Sequence, residues 1–237
     1  MSTLNTLSGT YTIDPTHTEI GFVARHAMVT KVRGQFTDFE GNASTEAGVT
    51  NASINLTVQV ASVKTGSADR DGHLLSADFF DAATFPVITF TSTRVSAADD
   101  NTLLVAGDLT IKDVTRAIEI PFEFEGAALD PFGNERVGLS GSVVVNRKDF
   151  GLTWNAALET GGVLVSEDIT LNFEVSAIKA VEAAADETAA DEVVEAAEAE
   201  VVEPAPTRAA VEDEPKAEVA QGGFMGWIKK IFAPSNR

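Results

Sequence analysis

Between residues 118 and 125 the chain reads Ile-Glu-Ile-Pro-Phe-Glu-Phe-Glu, so that Ile118, Ile120, Phe122 and Phe124 alternate with polar residues or proline. Strict period-two alternation demands an extended backbone with one buried and one solvated face, the signature of antiparallel sheet. The pattern recurs. Ile54, Leu56, Val58 and Val60 alternate with Asn55, Thr57 and Gln59, and Leu171, Phe173 and Val175 alternate with Asn172, Glu174 and Ser176. Comparable stretches lie at 18–26, 32–42, 86–97, 102–112, 136–146 and 163–170. Turn residues separate several of them, at Glu46–Gly48, Asp99–Asn101 and Asp130–Asn134. About eight strands in one all-β domain, residues 8–179, must hide their edges. Closure into an eight-stranded antiparallel up-and-down barrel removes them altogether. A barrel of that size is either filled by side chains or holds one small ligand. Ser67 is placed to cap a helix over 67–80, and a second short turn is expected at 26–31.

The rest of the chain follows other rules. Residues 180–220 carry 13 Asp/Glu against 2 Lys/Arg, together with Pro204, Pro206 and Pro215. No apolar stripe runs through the segment, so it reads as a disordered acidic linker. In residues 221–237 Phe224, Trp227, Ile228, Ile231 and Phe232 share one helical face, flanked by Lys229 and Lys230, and Pro234 ends the run. Such a short amphipathic helix suits a membrane interface or a groove on a protein partner, or docks back on its own barrel.

Composition removes several classes of function. A net charge of −19 argues against nucleic acid as a partner. No cysteine is present, so disulfides, thiol catalysis and thiolate metal sites are excluded. His17, His26 and His73 are the only histidines, too few to suggest a His-rich metal site, and no metal is expected. Met1–Gly9 has neither a basic nor an apolar leader region, and no run of about 18 apolar residues occurs. The expected location is therefore cytoplasmic, with a peripheral position at the inner membrane face if the terminal helix binds lipid.

Ionisable residues gather in three places. Asp14, His17 and Glu19 stand near a strand start. Asp14 and His17 point to opposite faces unless a turn at Pro15 redirects them. Arg25 and His26 suit a barrel rim. Arg70, Asp71, His73 and Asp78 adjoin Phe79-Phe80. A His–Asp pair can poise a general base, but no serine sits in a nucleophile-elbow setting. An ion-pair network pinning the helix to the rim is the favoured role, and no catalytic residue is assigned. Arg147 is placed to stack on or pair near Trp154.

The ordered set Asp14-x-x-His17, Phe22-x-x-x-His26, Val32-x-Gly34-x-Phe36, Arg70-Asp71-x-His73-Leu74, Phe79-Phe80-Asp81, Phe85-Pro86-x-Ile88-x-Phe90, Leu109-Thr110-Ile111, Val114-Thr115-Arg116 and Asn146-Arg147-x-Asp149-Phe150-Gly151-x-x-Trp154 resembles the YceI-like family over about residues 8–179. Asp113 stands where that family's hairpin pattern has glycine, and the tail lies outside the family. The resemblance implies a lipocalin-like barrel with a long apolar tunnel that binds an isoprenoid quinone or polyprenyl pyrophosphate, without chemistry and without a cofactor other than the lipid. On that view Phe22, Phe36, Leu56, Phe80, Phe90, Phe122, Phe124 and Trp154 are candidates to line the tunnel. Arg25, His26, Arg70 and His73 are candidates for a head group at the rim. Phe224, Trp227, Ile228, Lys229, Lys230, Ile231 and Phe232 form the candidate anchor. The alternative is a packed scaffold recruited through its tether and terminal helix to a membrane surface or protein partner. A hydrolase or isomerase built on His73 and Asp71 is the remaining reading.

Overall fold

Successive strands pair with their chain neighbours around a full circle in the computed structural model, which describes residues 3–46, 48–159 and 161–180. The strands are β1 (Gly9–Ile13), β2 (Glu19–His26), β3 (Thr30–Phe36), β4 (Phe39–Thr45), β5 (Ser53–Gln59), β6 (Val63–Lys64), β7 (Val87–Ala97), β8 (Thr102–Ile111), β9 (Val114–Leu129), β10 (Glu135–Asn146) and β11 (Asp168–Lys179). The one α-helix among the described residues, α1, spans Ala68–Leu75. The ring runs β1-β4-β5-β7-β8-β9-β10-β11 and closes by antiparallel pairing of β1 with β11, Tyr11 opposite Lys179. Eight strands thus form a closed barrel with every neighbour antiparallel, which leaves its wall without a free edge.

The eleven segments resolve into eight courses because three of them are interrupted. The turn at Asp14–Thr18 separates β1 from β2, Thr37-Asp38 separates β3 from β4, and a 3-10 turn at Val60–Ser62 separates β5 from β6. β11 accordingly pairs with β1 at one end and with β2 along Thr170–Glu174. The opposite side, β7 to β11, is built of continuous strands of 10–16 residues.

Two local expectations are corrected. Residues 163–167 do not join a strand and make only isolated bridges, Ala157 with Val163 and His26 with Val165. The backbone there is held instead by side chains. Asn155 Oδ1 accepts from Val165 N at 3.0 Å, and Arg25 N donates to Ser166 Oγ at 2.9 Å. In the β8–β9 hairpin, where Asp113 stands in place of the family's glycine, the left-handed residue is Lys112 (φ 59°). The two-residue turn is therefore made without glycine. The helix is shorter than expected, and Ser67 is its N-cap residue without a side-chain capping bond. The turn near 26–31 is tight, with Ala27 and Met28 both at positive φ.

One end of the barrel carries the turns 46–52, 98–101 and 130–134, and the 3-10 turn Leu4–Thr6 tucks Leu4 into the core there. The other end is covered by α1, a 3-10 turn at Arg147–Phe150 and the loop 151–167. Residues 181–237 lie outside the described residues, and with them the acidic linker and the candidate anchor from Phe224 to Phe232. Among the described residues no helix is long and apolar enough to cross a membrane.

Candidate functional site: an apolar bore through the barrel

The inward faces of the strands leave a cavity in which about 240 Å³ admits the centre of a water-sized sphere. It reaches from Tyr11, Ala43 and Ile54 near the turn-bearing end to Leu74, Phe79 and Leu152 beneath the helix. Its wall is almost wholly apolar; Asn42 and Arg147 supply the polar side chains besides the Tyr11 hydroxyl. The Tyr11 hydroxyl is already engaged, donating to Ser8 O at 3.1 Å.

The bore stays open because three of its aromatic rings lie flat against glycines on the adjacent strand. Phe22 faces Gly34 across β2 and β3, Phe122 faces Gly141 across β9 and β10, and the Phe90 ring covers Gly107. A Cβ at Gly34 would meet Phe22 Cζ at 2.2 Å, one at Gly107 would meet Phe90 Cζ at 2.4 Å, and one at Gly141 would meet Phe122 Cδ1 at 2.6 Å. Any side chain at these positions pushes a ring toward the axis.

The candidate tunnel residues divide. Phe22, Phe36, Leu56, Phe80, Phe90 and Phe122 face the cavity. Phe22 packs on Phe36 at 5.8 Å and Phe36 on Phe80 at 5.9 Å. Phe124 is buried in the core but lies off the cavity wall, where the β9–β10 register shifts between Gly138 and Leu139. Trp154 belongs to the end cover, edge-on to His73 at 4.7 Å and tilted against Phe79 at 5.3 Å.

None of the rim candidates touches the cavity wall. Arg25 is exposed and borders a polar groove on the outer face of β2 and β3, while His26 makes the bridge to Val165. Arg70 and Asp71 both grip Thr65, which ties α1 to the end of β6. Arg70 Nε donates to Thr65 Oγ1 at 2.8 Å, and Asp71 Oδ1 accepts from Thr65 N at 2.9 Å. His73 Nε2 lies 2.8 Å from Asp78 Oδ2. These pairings latch the helix and its following turn to the barrel end.

At the opposite end the turn at Pro15 does bring Asp14 and His17 together, at 2.8 Å. Arg136 joins them, bridging Asp14 and Asp130. The Arg136 guanidinium and the Thr16 hydroxyl hold the Asp14 carboxyl well below the usual range. Asn134, and after it Arg136, does the same for Asp130. Among the described residues no group of three or more His, Asp or Glu is arranged to hold a metal ion.

In the sequence Arg147 stood out as a member of the Asn146–Trp154 motif and a neighbour of Trp154, not as a cavity residue. In the structure it is 5% exposed and forms part of the cavity wall. Nε donates to Ser166 O at 2.9 Å and Nη1 donates to Leu152 O, while the guanidinium lies 6.0 Å from the Phe79 ring centroid. Nη2 is buried with no hydrogen-bond partner. Burial lowers the Arg147 pKa, and the Glu167 carboxylate opposes that shift in part. A period-two pattern cannot reveal such a residue, because Arg147 follows β10 in a 3-10 turn, where the face it presents is set by tertiary packing.

A closed eight-stranded antiparallel barrel around an apolar bore defines a β-barrel with an internal cavity. The model of the YceI-like domain matches residues 11–177, and the chain belongs to that family. A UPF0312 protein of Staphylococcus aureus is 36% identical over 171 residues, covering 70% of this chain and 95% of the relative. Among solved structures, the Campylobacter jejuni YceI protein is similar at 30% identity and a TM-score of 0.58, covering 66% of this chain and 90% of its own. Burkholderia cenocepacia BcnA has a TM-score of 0.61 at 22% identity, covering 69% and 98%. A polyisoprenoid binding domain from Saccharophagus degradans has a TM-score of 0.56 at 21% identity, covering 72% and 98%. The last two share the fold.

Proposed function

We propose that the protein binds, carries or sequesters an amphipathic isoprenoid-like lipid in its barrel and performs no chemistry on it. The observation that carries this reading is the continuous apolar wall around a bore held open by the Phe22–Gly34, Phe90–Gly107 and Phe122–Gly141 pairs. A branched, flexible chain fits such a space and gains by leaving water. Each five-carbon unit contributes about 4 kcal/mol at ~0.8 kcal/mol per carbon, before the cost of ordering the chain. The printed description of the Saccharophagus degradans domain as polyisoprenoid binding supports the same class of ligand. Residues 221–237 then serve as a weak, reversible contact with an anionic membrane that supplies or receives the lipid.

Mass spectrometry of the organic extract of purified protein tests the proposal. A lipid with an isoprenoid chain, recovered in near-stoichiometric amount, is expected. An empty extract together with failure to take up farnesyl-chain probes refutes it and favours the scaffold reading.

A further inference from the structure

We propose that Arg147 is the polar subsite of the bore, and that it selects ligands whose head presents one carbonyl-type oxygen, a ketone, quinone or carboxylate, over a pyrophosphate. This rests on the reading of the barrel as a lipid carrier and adds the chemistry of the head.

Three observations lead there. First, the guanidinium is nine-tenths buried, yet Nη2 donates to nothing, whereas Nε and Nη1 are both spent on backbone carbonyls. A buried donor left unpaired costs free energy that an incoming acceptor recovers. Second, among the described residues Arg147 makes no ion pair, and the nearby Glu167 is hydrogen-bonded to Lys148 on the surface. A buried positive charge without a counter-charge attracts an electron-rich oxygen. Third, the cavity wall that Arg147 shares is apolar: Phe79 lies 6.0 Å from the guanidinium, Leu152 accepts from Nη1, and Phe150 closes the same 3-10 turn. The two N–H groups of Nη2 are enough for one carbonyl oxygen or one carboxylate. A pyrophosphate would bring several charged oxygens into a wall that offers them nothing, and a buried charge without partners is the costlier arrangement. The latch explains why Arg70 and His73 do not share this work: Arg70 is spent on Thr65, and His73 is paired with Asp78.

The same geometry orients the ligand. Arg147 lies at the end covered by α1, and the cavity extends from it to Tyr11 and Ile54. The oxygen sits beneath the helix and the chain runs toward the turn-bearing end.

Four probes of one chain type test this on the full-length protein stripped of lipid: farnesene, farnesylacetone, farnesoic acid and farnesyl pyrophosphate. Farnesylacetone and farnesoic acid are expected to bind more tightly than farnesene and farnesyl pyrophosphate. The acid and the ketone between them separate an anionic from a neutral head. In Arg147→Met the advantage of the ketone over farnesene falls by about tenfold while farnesene binding is kept. Because Arg147 also braces the 151–167 loop, which exposes the variant to misfolding, the wild-type protein gives an independent readout. The 15N guanidinium resonances of Arg147 move on saturation with farnesylacetone and stay in place with farnesene. Equal binding of farnesene and farnesylacetone, pyrophosphate as the tightest ligand, an undiminished preference in a folded Arg147→Met, or a static guanidinium signal overturns the subsite and leaves the carrier reading standing. Binding of none of the four overturns both.

Discussion

Replacing Gly34 by alanine tests whether ring-on-glycine packing sets the width of the bore. The new Cβ starts 2.2, 2.7 and 2.9 Å from three atoms of the Phe22 ring, whereas ordinary contact begins at 3.4 Å. All three clashing atoms belong to one side chain, so the backbone need not move. The ring retreats inward, toward Phe36 and the axis. Overpacking of this kind costs about 1–3 kcal/mol of stability. The displaced ring excludes roughly two or three ligand carbons, about 2 kcal/mol of binding, or ~30-fold in Kd. Trimming the ring in the double variant Gly34→Ala/Phe22→Leu is expected to restore most of both losses. Chemical denaturation measures the stability, and competition against a fluorescent farnesyl-chain probe measures the affinity. If Gly34→Ala binds as tightly as the wild type, or the double variant is no better than the single, the rings do not hold the bore open.

The other sites respond differently. Gly107→Ala places its Cβ 2.5 Å from the Thr91 carbonyl oxygen as well as against Phe90, and backbone cannot swing aside. A loss of about 3 kcal/mol or more is expected in denaturant titration. Phe150 is 2% exposed beneath the end cover, and Phe150→Ala is expected to cost about 3–5 kcal/mol, read as a fall in Tm. The lowered pKa values of Asp14 and Asp130 mean that their ionised forms favour the folded state. Their contribution is whole above about pH 4 and drains away as pH falls further. Arg136→Ala should therefore lower Tm at pH 7 and flatten the acid limb of the stability profile; an unchanged limb counts against the network. Deleting 221–237 is expected to abolish flotation with anionic liposomes while lipid occupancy of the barrel persists, and unaltered flotation removes the anchor.

The wall of the barrel was legible because an antiparallel sheet with one buried face writes its period into the chain, as at Ile118–Phe124 and Leu171–Val175. Of the two phenylalanines that alternate at Ile118–Phe124, Phe122 lines the cavity and Phe124 is buried off its wall. Residues 163–167 continue the same apolar content, but Ser166 and Asn155 tie them down as a loop, and hydrogen bonds from backbone N–H groups to side chains elsewhere in the chain leave no periodic trace. Trp154 looked like a tunnel residue because it is large and apolar, yet its place is fixed by His73 and Phe79, about 80 residues earlier in the chain. The charged cluster at Arg70–Asp78 was expected to pin the helix to the rim, and the structure engages Arg70 with Thr65 and His73 with Asp78. Arg147 stood in the Asn146–Trp154 motif, and burial alone marks it as a cavity residue.

The three interrupted courses adjoin one another, β1/β2 beside β3/β4 beside β5/β6, while β7 to β11 run unbroken. The cylinder is thus built from a stiff half-shell and a jointed one. Interstrand hydrogen bonding in the jointed half is parcelled into short ladders, and short ladders open at lower free energy than long ones. Amide exchange should then be slow across β8, β9 and β10 and faster by orders of magnitude along β2, β3 and β6, beside the helix that covers the bore. A guest that enters through the wall is expected to do so on the jointed half, where the ladders are short.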